Sequence, residues 1–273
     1  MHIFHPTDFS PASDVAFVHA LKLALASQGA LTVFHFAGGD EADDEHDFPQ
    51  VRQTLTQWGV LPPGSPREAV LESLGLRVRK VQVGGDDPAD AMVAYLERHP
   101  ADLIALATHQ RSGAARWLSR EVAVPLVRRA AIPALFVPPV TSGFVDPATG
   151  AGRLRRILMP IDRHPHPRAT IAMVPALAAV IQPEPVAVEL LHVGTAETAP
   201  RFEIPEGTTC SWTTRVVAGD AVDAILQAEQ AWAPDLIVVT TEGRQGFLDA
   251  LRGSTTEQIV RGARAPVLAV AER

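Results

Sequence analysis

The chain repeats itself, and that repetition constrains its fold more than any other feature. ADLIALATHQ (101–110) lies over PDLIVVTTEG (234–243), and AIPALFV (131–137) over RAPVLAV (264–270), both at a separation of 133 residues. Nearer the start, HPTDFS (5–10) lies over MPIDRH (159–164) at a separation of 154. Two copies in 273 residues make each half the size of a modest domain with its own core. The 21-residue difference between the separations places extra chain in the first half, between its second and third strands.

Apolar periodicity gives both halves one grammar, short β-rich runs alternating with amphipathic stretches, which favours a parallel sheet covered by helices. In the first half the spacing predicts strands over 2–5, 31–36, 77–83, 103–108 and 134–137, and helices over 13–26, 87–98 and 120–129. In the second it predicts strands over 156–160, 186–193, 213–217, 236–240 and 266–270, and helices over 168–181, 221–232 and 254–263. Pro175 should kink the first of these. The extra chain holds the acidic stretch GGDEADDEHDF and a helix over about 49–58. The matching stretch 194–212 is rich in breakers, so the second copy has lost a covering helix. Residues 141–154 mix Gly, Pro, Ser and Thr without periodicity and read as a linker between a first domain over 1–140 and a second over 155–273.

Charge and composition bound the partners. With 24 basic and 31 acidic residues the formal charge is −7, and aromatics are 5%, so neither a phosphate-tracking stripe nor a base-stacking platform is supplied; nucleic acid is not an expected partner. No apolar run reaches the roughly 18 residues of a membrane span, and the start lacks a secretory pattern, so no membrane role and a cytoplasmic location are expected. The single cysteine, Cys210, fits a reducing compartment.

Asp8 and Asp162 follow the first strand of each half, and Gly84 and Gly219 follow the third. The last block of the second half reads Thr240-x2-Gly243-x9-Gly253-Ser254; the first half has Ala107, Gln110, Arg120 and Glu121 at the same places. On these residues the chain resembles the universal stress protein family in its tandem form, over nearly its whole length. The resemblance implies an α/β fold of two open-twisted five-stranded parallel sheets, Rossmann-like and adenine nucleotide α-hydrolase-like. It also implies an internal pseudo-dimer through the last strands, with a homodimer or another protein as a further partner. The family's ATP-binding motif is G-x2-G-x9-G-[ST], of which the second half lacks only the first glycine.

The physics of that motif is a phosphate cradle: backbone N–H groups converge at a helix start, and glycines keep side chains out of the way. By resemblance, Asp162 and the backbone at Val193 face an adenine, and Gly219 the ribose. Gly243, Gly253, Ser254 and Thr255 face the triphosphate of ATP, with or without Mg2+, and Thr240 adds a side chain where the family has none. In the first half Arg120 and Glu121 put bulk and negative charge at the same helix start, which closes it to phosphate. Function is therefore expected to be nucleotide binding with little or no turnover, and the alternative is a nucleotide-free scaffold. His164-Pro165-His166 lacks carboxylate or cysteine partners and reads as a turn. His35 and His192 hold matching strand ends and read as structural.

Overall fold

The computed structural model describes residues 1–38, 48–108, 132–139, 143–182, 184–242 and 255–272. The acidic stretch 40–47 and the helix expected over 120–129 lie outside the described residues. The chain divides into two units, Met1–Gly152 and Arg153–Arg273.

The first unit runs β1 (His2–Pro6), α1 (Pro11–Ala26), β2 (Ala30–Gly38), α2 (Val51–Gln57), α3 (Ala69–Glu72), β3 (Arg77–Gly85), α4 (Pro88–Arg98), β4 (Leu103–Ala107) and β5 (Ala134–Val137). Its strands are parallel in the order β3-β2-β1-β4-β5. β4, LIALA, is buried along its whole length, as an apolar run central to a parallel sheet must be. Around β1 the rings of Phe4, Phe34 and Tyr95 pack with centroids 5.3 to 5.9 Å apart.

α1 starts two residues before its apolar periodicity does. The Ser10 side chain accepts from Ser13 N at 3.2 Å and Pro11 takes the first turn, a start signal that needs no apolar residue. Asp8 holds that cap, its Oδ1 accepting from Ser10 N at 3.0 Å and Ser10 Oγ at 2.6 Å. Gly84 lies inside β3 rather than after it, because β3 follows β2 in register as far as Gly38↔Gly85.

The described part of the expected linker is folded onto the first unit. Phe144 and Val145 are buried, and Phe144 meets the His19 ring edge-on at 4.6 Å. Trp58 Nε1 donates to Pro147 O at 3.0 Å. Gly150, at φ +67, lies so close to the Trp58 ring that a Cβ would sit 2.3 Å from it.

The second unit runs β6 (Arg156–Pro160), α5 (Arg168–Ile181), β7 (Val186–Val193), β8 (Cys210–Val217), α6 (Ala221–Trp232), β9 (Leu236–Thr241), α7 (Thr255–Gly262) and β10 (Val267–Ala271). Its parallel order, β8-β7-β6-β9-β10, repeats that of the first unit. No helix stands between β7 and β8 among the described residues. β8 begins at Cys210 rather than at residue 213 because its register pairs Cys210 with Val186, where β7 begins. α5 continues through Pro175 as one helix.

The duplication reaches individual bonds. Asp102 Oδ2 accepts from His2 N at 2.7 Å, and Asp235 Oδ2 accepts from Arg155 N and Arg156 N at 2.7 and 2.8 Å. His35 Nδ1 donates to Thr7 O at 3.0 Å, and His192 Nδ1 to Ile161 O at 3.1 Å. The paired histidines therefore tie the end of each second strand to the turn after the first, a structural role.

Candidate functional site

In an open parallel sheet the strand order reverses beside the first strand, and the helices on either side of that point leave a crevice at the carboxyl ends. In the second unit this point lies between β6 and β9, and a pocket of about 170 Å³ occupies it. Pro160, Ile161 and Asp162 enter from β6 and the turn after it. Leu191 and Val193 come from β7, Val239 and Thr240 from β9, Ile225 from α6, and Thr255, Thr256 and Ile259 from α7.

Of the eight residues expected at the site, Asp162, Val193, Thr240 and Thr255 meet in this one pocket. Gly243, Gly253 and Ser254 lie outside the described residues, as do Arg244 and Arg252. Gly219 does not line the pocket. It stands between β8 and α6 at φ +129 with open space where a Cβ would be, so its backbone angle and not close packing calls for glycine. Asp220, beside it, caps α6 by accepting from Val222 N at 2.9 Å and Asp223 N at 3.1 Å.

The pocket mixes apolar walls with polar groups: Leu191, Val193, Ile225, Val239 and Ile259 on one hand, three threonine hydroxyls, His164 and one carboxylate on the other. Asp162 is exposed, and its Oδ1 accepts from Arg163 N at 2.7 Å; it does not cap α5, whose preceding residue is Pro167. Thr240 Oγ1 donates to Thr170 Oγ1 at 2.9 Å. The first unit carries Ala107 at the place of Thr240, so the second half has gained a hydroxyl there that bonds to its first helix. That partnership explains how a side chain is accommodated where the motif has a glycine. Nothing local to TTEG signals it, because Thr170 lies 70 residues away on α5.

Sequence reasoning also missed His164 and Pro165, which line the pocket from the turn after β6. His166 does not. Its Nδ1 accepts from Arg168 N at 3.2 Å, so Nε2 carries the proton and donates to Arg201 O at 3.1 Å, fixing the turn. At 170 Å³ the described walls are smaller than the roughly 300–1,000 Å³ of pockets that enclose a drug-sized ligand, and suit a single ring system.

At the strand ends of the first unit, aromatic rings pack on His35, whose counterpart His192 does not line the pocket. Phe9 stacks on His35 with centroids 4.2 Å apart, and Phe48 meets Phe9 edge-on at 5.4 Å. Phe9 adopts φ 58, unusual for a bulky residue, which turns its ring over the strand ends. Asp8 Oδ2 is buried beside them without a hydrogen-bond partner. Gln110, Arg120 and Glu121 lie outside the described residues.

Comparison with known proteins yields a family and a fold. The model of the universal stress protein family matches twice, over residues 1–138 and 153–271. A universal stress protein from Archaeoglobus fulgidus aligns over 100% of this chain and 98% of its own, at 17% identity and a TM-score of 0.62. A putative universal stress protein from Pseudomonas aeruginosa aligns over 99% of this chain and 92% of its own, at 16% identity and a TM-score of 0.61. At these identities the likeness is one of fold. No curated protein matches.

Proposed function

The chain belongs to the universal stress protein family, and from that premise we propose that its second unit binds an adenine nucleotide, ATP or a close relative, and holds it with little or no turnover. One observation carries the reading: Asp162, Val193, Thr240 and Thr255, four of the residues that the family resemblance assigns to the site, line a single pocket at the reversal of strand order. The apolar walls from Val193, Val239 and Ile225 suit the faces of a purine, and Asp162 at the rim suits its exocyclic amine. The phosphates then fall to Gly243, Gly253 and Ser254, and to Thr255 at the start of α7. The first unit serves as a degenerate partner, with Ala107, Gln110, Arg120 and Glu121 at its motif positions.

Weak turnover follows from what the second half lacks. Its sequence contains no lysine, which excludes a P-loop type of phosphate contact. Asp162 is the sole carboxylate among the described lining residues, so a magnesium ion would arrive with the phosphates and supply charge neutralisation there. Arginines 244 and 252 flank the motif and stabilise bound phosphate in ground and transition state alike, which does not speed chemistry.

Equilibrium dialysis of the full chain with labelled ATP tests the reading, with one nucleotide per chain expected. Gly253→Glu, which copies the negative charge of the first half's motif, should abolish binding with the circular dichroism unchanged; native affinity in that variant would refute the assignment. Phosphate release faster than about one per second, lost in Ser254→Ala, would make the protein an enzyme instead. A nucleotide-free scaffold is the competing reading, favoured by Thr240 in place of the first motif glycine, and no binding by the native chain would select it.

A further inference from the structure

A larger cavity lies in the first unit, apart from the candidate nucleotide pocket. It is a groove of about 510 Å³ between α2, α3 and the edge strand β3. Val51, Val70 and Leu76 are buried at its base, and Leu71 beside them is 49% exposed. Arg52, Arg67, Arg77 and Lys80 stand around it, with Glu68 the one carboxylate among the lining residues. Arg52 Nη1 donates to Ser65 O at 3.2 Å, and Lys80 Nζ lies 5.7 Å above the Phe48 ring. Among the described residues no carboxylate pairs with Arg52, Arg67 or Arg77.

Gathering four cations around one groove runs against the −7 formal charge of the chain. Protection of a sheet edge from pairing does not account for it, since that requires charges along β3 alone. Arg52 comes from α2 and Arg67 from the turn before α3, and both line with Arg77 one groove over an apolar floor. Guanidinium groups match a carboxylate two bonds at a time, and an apolar wall on one side strengthens that attraction by excluding water. The volume falls within the roughly 300–1,000 Å³ of small-molecule sites. α2 and α3 belong to the extra chain of the first half, so the groove is an addition to the repeated fold and not part of the nucleotide pocket.

We propose that this groove binds an organic carboxylate with an apolar body, of the medium-chain acyl class. Its head group lies among Arg52, Arg67 and Arg77, and its chain lies on Val51, Val70, Leu71 and Leu76.

Calorimetric titration of the full chain with decanoate, below the concentration at which it forms micelles, provides the test. One saturable site per chain is expected. Arg67→Glu with Arg77→Glu should weaken binding about tenfold or more, and acetate and decanol should each bind about tenfold more weakly than decanoate. Both arginines are exposed, and circular dichroism checks that the variant folds. Gly253→Glu should leave decanoate binding unchanged, which separates this site from the nucleotide reading. No saturation with the native chain, or native affinity in the folded double variant, overturns the proposal. So does acetate or decanol matching decanoate. Displacement of decanoate by a lower concentration of an oligoglutamate peptide would reassign the groove to a protein partner. Binding seen only after Asp40, Asp43, Asp44 and Asp47 are changed to Asn would assign it to the chain's own carboxylates.

Discussion

Acid should unfold the first unit before the second, because two fully buried histidines reside only in the first. His5 Nδ1 donates to Ala105 O at 2.9 Å and His19 Nδ1 to Val15 O at 2.8 Å; each Nε2 is buried with no hydrogen-bond partner. Protonation would create a second N–H with nowhere to donate. Burial accordingly pushes both rings from the ordinary 6.5 down to about 4, against the smaller opposing pull of the carbonyl bonds and, for His5, of the Asp8 carboxylate. The unfolded chain thus binds more protons than the folded one between these values, and stability falls as pH drops through that window. At about 1.36 kcal/mol per pH unit, each ring removes about 3.4 kcal/mol once the pH is well below 4, and about 2 kcal/mol between pH 7 and pH 5. The two together remove about 4 kcal/mol by pH 5, a large share of the roughly 5–15 kcal/mol that holds a domain folded. Asp14 acts in the opposite sense: burial, and then the charge of Asp8, raise its carboxyl, so its protonation below the raised value favours the folded state. The second half carries Met159 at the position matching His5. His5→Met with His19→Met should therefore abolish the loss. The measurement is pulsed hydrogen exchange with mass spectrometry after equilibration in urea at pH 7 and pH 5, comparing peptides of β1 and α1 with those of β6 and α5. A change below about 1 kcal/mol in β1 and α1, or the same pH slope in the double variant, would refute the reasoning.

Glu229 is buried on α6, and its Oε1 accepts from Arg264 N and Ala265 N, both at 2.7 Å. Glu229→Ala strips two charge-assisted bonds and should cost about 3 kcal/mol in urea unfolding of the second unit. Thr240→Ala leaves the buried Thr170 hydroxyl without its partner and should cost about 1–2 kcal/mol. The double change with Thr170→Ala removes both hydroxyls and should recover most of that loss in a double-mutant cycle. Asp235→Ala removes the acceptor for Arg155 N and Arg156 N at the start of β6, and should lower the second unit's thermal midpoint while leaving the first unit's unchanged.

The internal repeat, the parallel α/β class and the strand set were all legible from the sequence, because each depends on short-range pattern. LIALA reads as a buried central strand, Asp87-Pro88 as a helix start, and the constant separation of 133 residues as a duplication. The candidate site was legible in part: the family resemblance assigns Asp162, Val193, Thr240 and Thr255 to it, and the strand order brings them to one crevice. What escaped the sequence depends on contacts between distant residues. Thr240 finds Thr170 across 70 residues, Trp58 holds Pro147 across 89, and Phe48 reaches Phe9 from the far side of α1 and β2. The basic groove is of the same kind, since Arg52, Arg67 and Arg77 look like scattered surface charges until α2, α3 and β3 are folded together. Local propensity and periodicity are written residue by residue along the chain. Which side chains share a cavity is set by packing, and only the tertiary structure decided that here.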